Sequence, residues 1–379
     1  MRLIKKPISL FLALIPLLIH GGILGKYYIE SVVIDDEKNQ WLQPQEKGWL
    51  AGDVGHSISI DRGKIVWLFG DSFIGEYKNG NQISDGIHIN NCIAIQDLTK
   101  PESEQFTFHI GENEPTRAFF PPYKEMPGSF LWPTNGFYLN NSLFIFCQSM
   151  SIDGTGFWSM VGTVFIQIDN PHDNPTNWNK KYYDFGTLPW EGDSFQQQFH
   201  SAFYLNTDMI YFMGYTQIDG LKKSILSRIS KEDFIHFKKA DQLEYFIEID
   251  GVSKWSNLKE NLKFLFSPGN TESNIQYIKE WDIFITTTYT ALDQNILLTM
   301  AKDLKGPWSE PIIIYKNPLV VCPLKTCIET YAVRPHPEFS TKPGELIISF
   351  VTSFQGPFEE ISIQAYRPLF IKVQLGKND

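Results

Sequence analysis

The chain has 379 residues, 42% of them hydrophobic and 15% aromatic, with a formal net charge of −10 and a pI near 5.4. A length of this order allows one to three domains with ample core, and the acidic balance, with no Lys/Arg-rich run, excludes a nucleic-acid binder that tracks phosphates. A neutral or weakly charged ligand is the expected partner, and the aromatic rings suit both β-strands and the flat faces of sugars.

The N-terminus places Arg2, Lys5 and Lys6 ahead of an apolar stretch from Ile8 to Leu24, which is the layout of a secretory signal peptide. At roughly 17 residues the stretch is at the short edge of what spans a bilayer, so an uncleaved N-terminal anchor is the alternative. Residues 1–25 therefore read as a targeting segment and residues 26–379 as one exported domain, secreted, periplasmic or on the cell surface. Membrane contact is confined to that anchor. Cys92 and Cys147 lie in apolar strand-like runs and read as buried thiols, while Cys322 and Cys327 flank Pro323 and could close a small loop in an oxidising compartment. No Cys/His spacing suggests zinc, and no metal or cofactor is expected.

Five segments then share one shape: a short strand, a tight polar turn, and a second strand rich in aromatic and β-branched residues. They are SISIDRGKIVWLFGDS from Ser57, GFYLNNSLFIFCQSM from Gly136, AFYLNTDMIYFMGYT from Ala202, IQYIKEWDIFITTTYT from Ile275 and HPEFSTKPGELIISFVTS from His336. A third strand-like run follows in several units, GTVFIQI at Gly162, SILSRIS at Ser224 and ILLTMAK at Ile296. Each leads into an aromatic-bearing segment, NPTNW, EDFIHF or DLKGPW, which is the expected fourth strand. Four-stranded units repeated five times, with almost no amphipathic helix, predict an all-β, five-bladed β-propeller. A β-sandwich or two small β-domains is the alternative, and five repeats of one shape argue against it.

In a propeller the first strand of each blade lines the central channel, and residues just before it or at its start reach the mouth. Those positions hold Asp53 and His56 in blade one, Trp132 and Asn135 in blade two, and Gln198 and His200 in blade three. Blade four offers Glu272, and blade five Tyr331, Arg334 and His336. Asp71 ends the second strand of blade one, so the hairpin brings Asp53 and Asp71 to one rim. Gly-Asp pairs are also common in turns, where Asp caps local N–H groups. Paired carboxylates in a cleft are the machinery of glycoside hydrolysis. Asp53 and Asp71 are the candidates for base or nucleophile and its partner, and Glu272 for general acid. His56, Trp132, Asn135, His200, Tyr331, Arg334 and His336 are the candidate substrate contacts, with Trp132 and Tyr331 able to stack on a sugar face. The expected partner is a polysaccharide or glycoconjugate. The rival reading is a non-catalytic glycan-binding or adhesion propeller. A sialidase-like propeller would need an arginine cluster, and Arg334 alone is well placed.

The segments GDVGHSISIDRGKIVWLFGDSF, LWPTNGFYLNNSLFIF, TESNIQYIKEWDIFITTTY and AKDLKGPWSEP together resemble the domain-of-unknown-function 4185 family, classed as glycoside hydrolase family 183, the endo-D-arabinanases. The resemblance runs over roughly residues 45–375, and GPW also looks more distantly like the five-bladed glycosidases of family 43. It implies an enzyme that cleaves arabinofuranosyl or related furanoside linkages. By position it assigns Asp53 and Asp71 to the paired acidic sites of the first blade and Glu272 to the acidic site of a later one. Ser72 stands where that family usually has Thr.

Overall fold

The turn at Asp61-Arg62-Gly63 forms as its composition predicts, with all three residues left-handed (φ +68°, +52° and +72°). Asp and Gly tolerate that region, and the turn closes a tight hairpin. The hairpin belongs to a computed structural model that describes residues 25–378 apart from 79–81, 113–116, 153, 155, 157, 188–196, 291–292, 319–326 and 355–365. The apolar N-terminal stretch and the expected Cys322–Cys327 bridge lie outside the described residues.

The strands run in chain order as five sheets. After β1 (Tyr27–Ile34), blade one contains β2 (Lys47–Ser59), β3 (Lys64–Lys78), β4 (Gln82–Ile89), β5 (Cys92–Asp97) and β6 (Phe106–His109). Blade two contains β7 (Phe130–Leu139), β8 (Ser142–Ile152), β9 (Trp158–Ile168) and β10 (Lys180–Thr187). Blade three contains β11 (Gln197–Leu205), β12 (Met209–Ile218), β13 (Leu221–Ser230), β14 (Glu244–Ile249) and β15 (Val252–Ser256). Blade four contains β16 (Ile275–Ile278), β17 (Ile283–Thr290), β18 (Asn295–Ala301) and β19 (Ile312–Lys316). Blade five contains β20 (Cys327–Pro335), β21 (Glu345–Phe354) and β22 (Leu369–Lys377), and β1 pairs antiparallel with β22 as its outermost strand. The N-terminal strand thus completes the C-terminal blade.

Hydrophobic cores closing on one another make this a ring. Ile58, Leu68 and Ile93 of blade one pack with Leu131, Ile145 and Val164 of blade two. Phe137, Phe146 and Phe165 of blade two pack with Phe203 and Phe212 of blade three. Met213 and Leu226 meet Ile275 and Trp308, Ile285 and Leu298 meet Val333 and Ile348, and Ile347 and Phe370 meet Trp67 and Phe69. The last of these joins blade five to blade one, so every sheet is covered on both faces and the fold is a five-bladed β-propeller. Cys92 and Cys147 are buried free thiols within two of the cores.

Two expectations are corrected. The aromatic-bearing segments are not fourth strands. NPTNW carries a 3-10 turn (Pro175–Asn177), and EDFIHF is a helix, α1 (Lys231–Phe237), capped by the Ser230 hydroxyl accepting from the Asp233 N–H at 2.9 Å. DLKGPW is a loop, and the fourth strands follow these segments. Ser, Asp and Pro at these sites favour caps and turns over ladder positions. The inner strands of blades one, two and three also begin earlier than the alternating pattern indicates, that of blade four begins at Ile275 as expected, and in blade five the inner strand is β20, ending where the repeat was expected to start. Bulges interrupt the pairing at Gly52/Val54, Pro133/Asn135, Gln198/Ala202 and Tyr331/Arg334. An extra residue breaks the two-residue period, so alternation registers only the regular half of each strand.

Candidate functional site

Asp53 sits within such a bulge. The two residues after it, Val54 and Gly55, are left-handed (φ +66° and +60°). The turn reading of Asp53 and Asp71 falls, because both lie mid-strand: β2 begins six residues before Asp53 and β3 continues to Lys78. Gly52 pairs with Ser72 and Val54 with Phe69, so the two aspartates lie across the hairpin from each other. The glycines before them are set by this geometry. A Cβ at Gly70 would sit 2.4 Å from Asp53 Oδ1, and one at Gly52 would sit 2.4 Å from Ser72 Oγ.

Blade five completes the surroundings of Asp53. The Tyr331 and Tyr366 hydroxyls donate to Asp53 Oδ2 at 2.8 and 3.0 Å, while Oδ1 is buried with no hydrogen bond among the described residues. Burial, then the charge of Asp71, pushes the Asp53 carboxyl up to about 7; the two tyrosine hydroxyls oppose the shift and the charge of Glu272 adds to it. Asp71 accepts from Trp132 Nε1 at 2.8 Å and Asn90 Nδ2 at 3.2 Å, and His88 Nε2 lies 3.4 Å away. The His88 pKa is raised: burial alone would lower it, and the hydrogen bond and charge of Asp71 outweigh that. Glu272 stands in the loop before β16. It accepts from Thr271 Oγ1 at 2.5 Å, and its own N–H donates to Asn270 Oδ1 at 3.2 Å. Asp53, Asp71 and Glu272 thus act on one electrostatic site fed by blades one and four.

The other expected contacts lie deeper. His56, Asn135, His200, Arg334 and His336 are all buried. Asn135 Nδ2 donates to the carbonyls of Ser201 and Ser273, both at 2.8 Å, tying blades two, three and four together. His200 bridges the hydroxyls of Thr134 (2.9 Å) and Thr163 (3.1 Å), and burial lowers its pKa to about 3. His336 bridges Ser57 and Ser349, and burial lowers it too. His56 is held well below its ordinary value by burial and then by the nearby Arg334 and His336 charges. Burial brings the Arg334 guanidinium down to about 10 against the opposing charges of Glu272 and Asp53, and Nη1 donates to the Thr134 carbonyl at 3.4 Å. These five side chains are buried, whereas Asp53 is bonded to Tyr331, Asp71 to Trp132, and the charges of Asp71 and Glu272 both act on Asp53. Tyr366, His88 and Asn90 were not anticipated, since no repeat position marks them. Among the described residues no three His, Cys, Asp or Glu groups stand where they could share a metal ion.

Residues 35–375 match the model of a family described as Domain of unknown function (DUF5005). The chain belongs to that family. The DUF5005 match replaces the expected 4185 family. The two glycines of the Gly-Asp pairs behind that expectation are set by close packing in blade one, where a Cβ would clash, so they do not by themselves mark a family. No curated protein matches the chain. Among solved structures, this DUF5005 chain is similar to a candidate hydrolase from Bacteroides ovatus ATCC 8483, at 18% identity and a TM-score of 0.69, covering 92% of this chain and 90% of that one. That likeness is one of fold. An α-L-arabinofuranosidase catalytic domain from Coprinopsis cinerea (8% identity, TM-score 0.46, 88% and 98% covered) and an α-L-arabinofuranosidase from Lactobacillus brevis (12%, 0.45, 89% and 95%) also align.

Proposed function

We propose that the chain is an exported glycoside hydrolase that cleaves a polysaccharide or glycoconjugate by carboxylate acid/base catalysis, with arabinofuranosyl linkages the first class to test. The observation that carries this reading is the Asp53 carboxyl, pushed up to about 7 between two tyrosine hydroxyls, with the charges of Asp71 and Glu272 acting on it. A carboxyl that exchanges its proton near neutral pH suits general acid or base work. A purely adhesive surface has no need of one buried beside two further carboxylates. Asp53 exchanges the proton, Asp71 is its charged partner held by Trp132, and Glu272 supplies the third carboxylate from the facing blade. Export rests on the basic and apolar N-terminus.

Hydrolysis of arabinans, arabinoxylan and aryl furanosides by the wild type and Glu272→Gln tests the reading. Cleavage by the wild type, reduced about 10²-fold or more in the variant, is the expected result. Glycan binding without cleavage of any substrate returns the adhesive alternative. The tyrosine contacts give a finer check. Both hydroxyls hold the Asp53 value down, so Tyr366→Phe releases one restraint and raises it further. The limb of the pH–rate profile that belongs to Asp53 is expected to move to higher pH, and an unmoved limb would separate that limb from Asp53.

A further inference from the structure

We propose that Trp158 is an outer sugar-stacking platform, so that the substrate is a chain of several sugar units reaching from the carboxylates along blade two. This rests on the glycosidase reading above. Trp132 donates its ring N–H to Asp71, and the Trp158 ring meets it edge-on, with centroids 4.9 Å apart and planes at 80°. Trp132 is itself fixed by an edge contact to Phe130 (5.3 Å) over Met150 and Met160. The carboxylate, a seated indole and an exposed indole therefore form a continuous line from the acidic rim outward.

Trp158 is 46% exposed and is the single tryptophan among the large apolar side chains found exposed in the described residues. It opens β9 and pairs with Ile152, itself 52% exposed, at the end of β8. What singles out this exposed indole is its place, packed edge-on against the ring that holds Asp71. The ligand that fits has apolar C–H faces for the rings and hydroxyls for the neighbouring carboxylate. Asp71 beside the inner ring and the net charge of −10 disfavour an anionic ligand. A neutral sugar unit, one or more positions from the cleaved bond, meets these demands. Trp132 is committed to holding Asp71, and the half-exposed Trp158 ring beside it presents the surface for stacking.

Kinetics of the wild type, Trp158→Ala and Trp158→Phe test this on an aryl furanoside and on arabino- and xylo-oligosaccharides from disaccharide to hexasaccharide. Trp158→Ala is expected to raise KM for the longest oligosaccharides about fivefold to tenfold, with kcat nearly unchanged. The aryl furanoside should be handled as by the wild type, and Trp158→Phe should retain most of the affinity. Melting curves establish that both variants fold. An unchanged chain-length series, or an equal loss on every substrate, overturns the platform and leaves the glycosidase reading standing. If the wild type cleaves nothing, retardation in gels cast with soluble arabinan or arabinoxylan decides. Retardation lost in Trp158→Ala supports the platform while the glycosidase reading falls, and no retardation of the wild type overturns both.

Discussion

Asp53→Asn is expected to lower turnover by about 10²–10⁴-fold, the range for removing a positioned acid or base, and to flatten the pH dependence of stability. Both effects follow from one shift. The folded protein holds the Asp53 proton up to about 7, whereas an unfolded Asp releases it near 3.8. Below the unfolded value both states are protonated and stability is at its fullest. As pH rises towards 7, the unfolded chain gives up its proton and the folded one keeps it, so stability falls; above 7 both are ionised and the whole loss is present. A shift of this size corresponds to something on the order of 2–4 kcal/mol. Asn imitates the protonated side chain at every pH, so this contribution disappears from the variant. Urea unfolding at pH 4 and pH 8 reads it directly: the wild type should lose more stability between the two than Asp53→Asn. Equal losses would mean that Asp53 does not hold its proton in the folded state. A variant that keeps full activity would remove Asp53 from the chemistry even if the stability result held.

Trp67→Ala is expected to cost about 3–5 kcal/mol, the range for truncating a fully buried large aromatic side chain. Trp67 lies on β3 and is completely enclosed. Its ring stacks on Phe339 at 5.9 Å and meets His336 at 5.3 Å and Phe370 edge-on at 6.1 Å, all from blade five. Its Nε1 donates to Gln96 Oε1 at 2.9 Å, so truncation opens a cavity and strands a buried acceptor. This interface is where the two ends of the chain close the ring, and the hydroxyls of Tyr331 and Tyr366 reach Asp53 across the same junction. Activity is therefore expected to fall along with stability, and Trp67→Phe, which keeps most of the volume, should lose less of both. A stability loss under about 1 kcal/mol would show that the junction relaxes around the missing indole.

The paired aspartates were legible because they belong to one hairpin, whose turn residues and flanking strands are local in sequence. The mid-strand bulge that holds Asp53 was not, because a single inserted residue erases the alternation that would reveal it. Sequence position alone marked His56, Asn135, His200, Arg334 and His336; the structure buries all five and ties Asn135, His200, Arg334 and His336 into hydrogen bonds between blades, while both His56 ring nitrogens lack a partner among the described residues. Tyr366 and His88 left no signal, since each reaches its aspartate through tertiary pairing and not through a repeat.

By itself the sequence determined the all-β class, the five hairpins and their turns, and the buried thiols, all of which rest on short-range periodicity and turn chemistry. Tertiary structure alone decided the closure of the ring by β1 on β22, the contacts of Tyr331 and Tyr366 with Asp53 and of Trp132 with Asp71, and the raised Asp53 value. Those depend on burial and on charges brought together from distant blades, and a carboxylate's environment is not written in its neighbours along the chain.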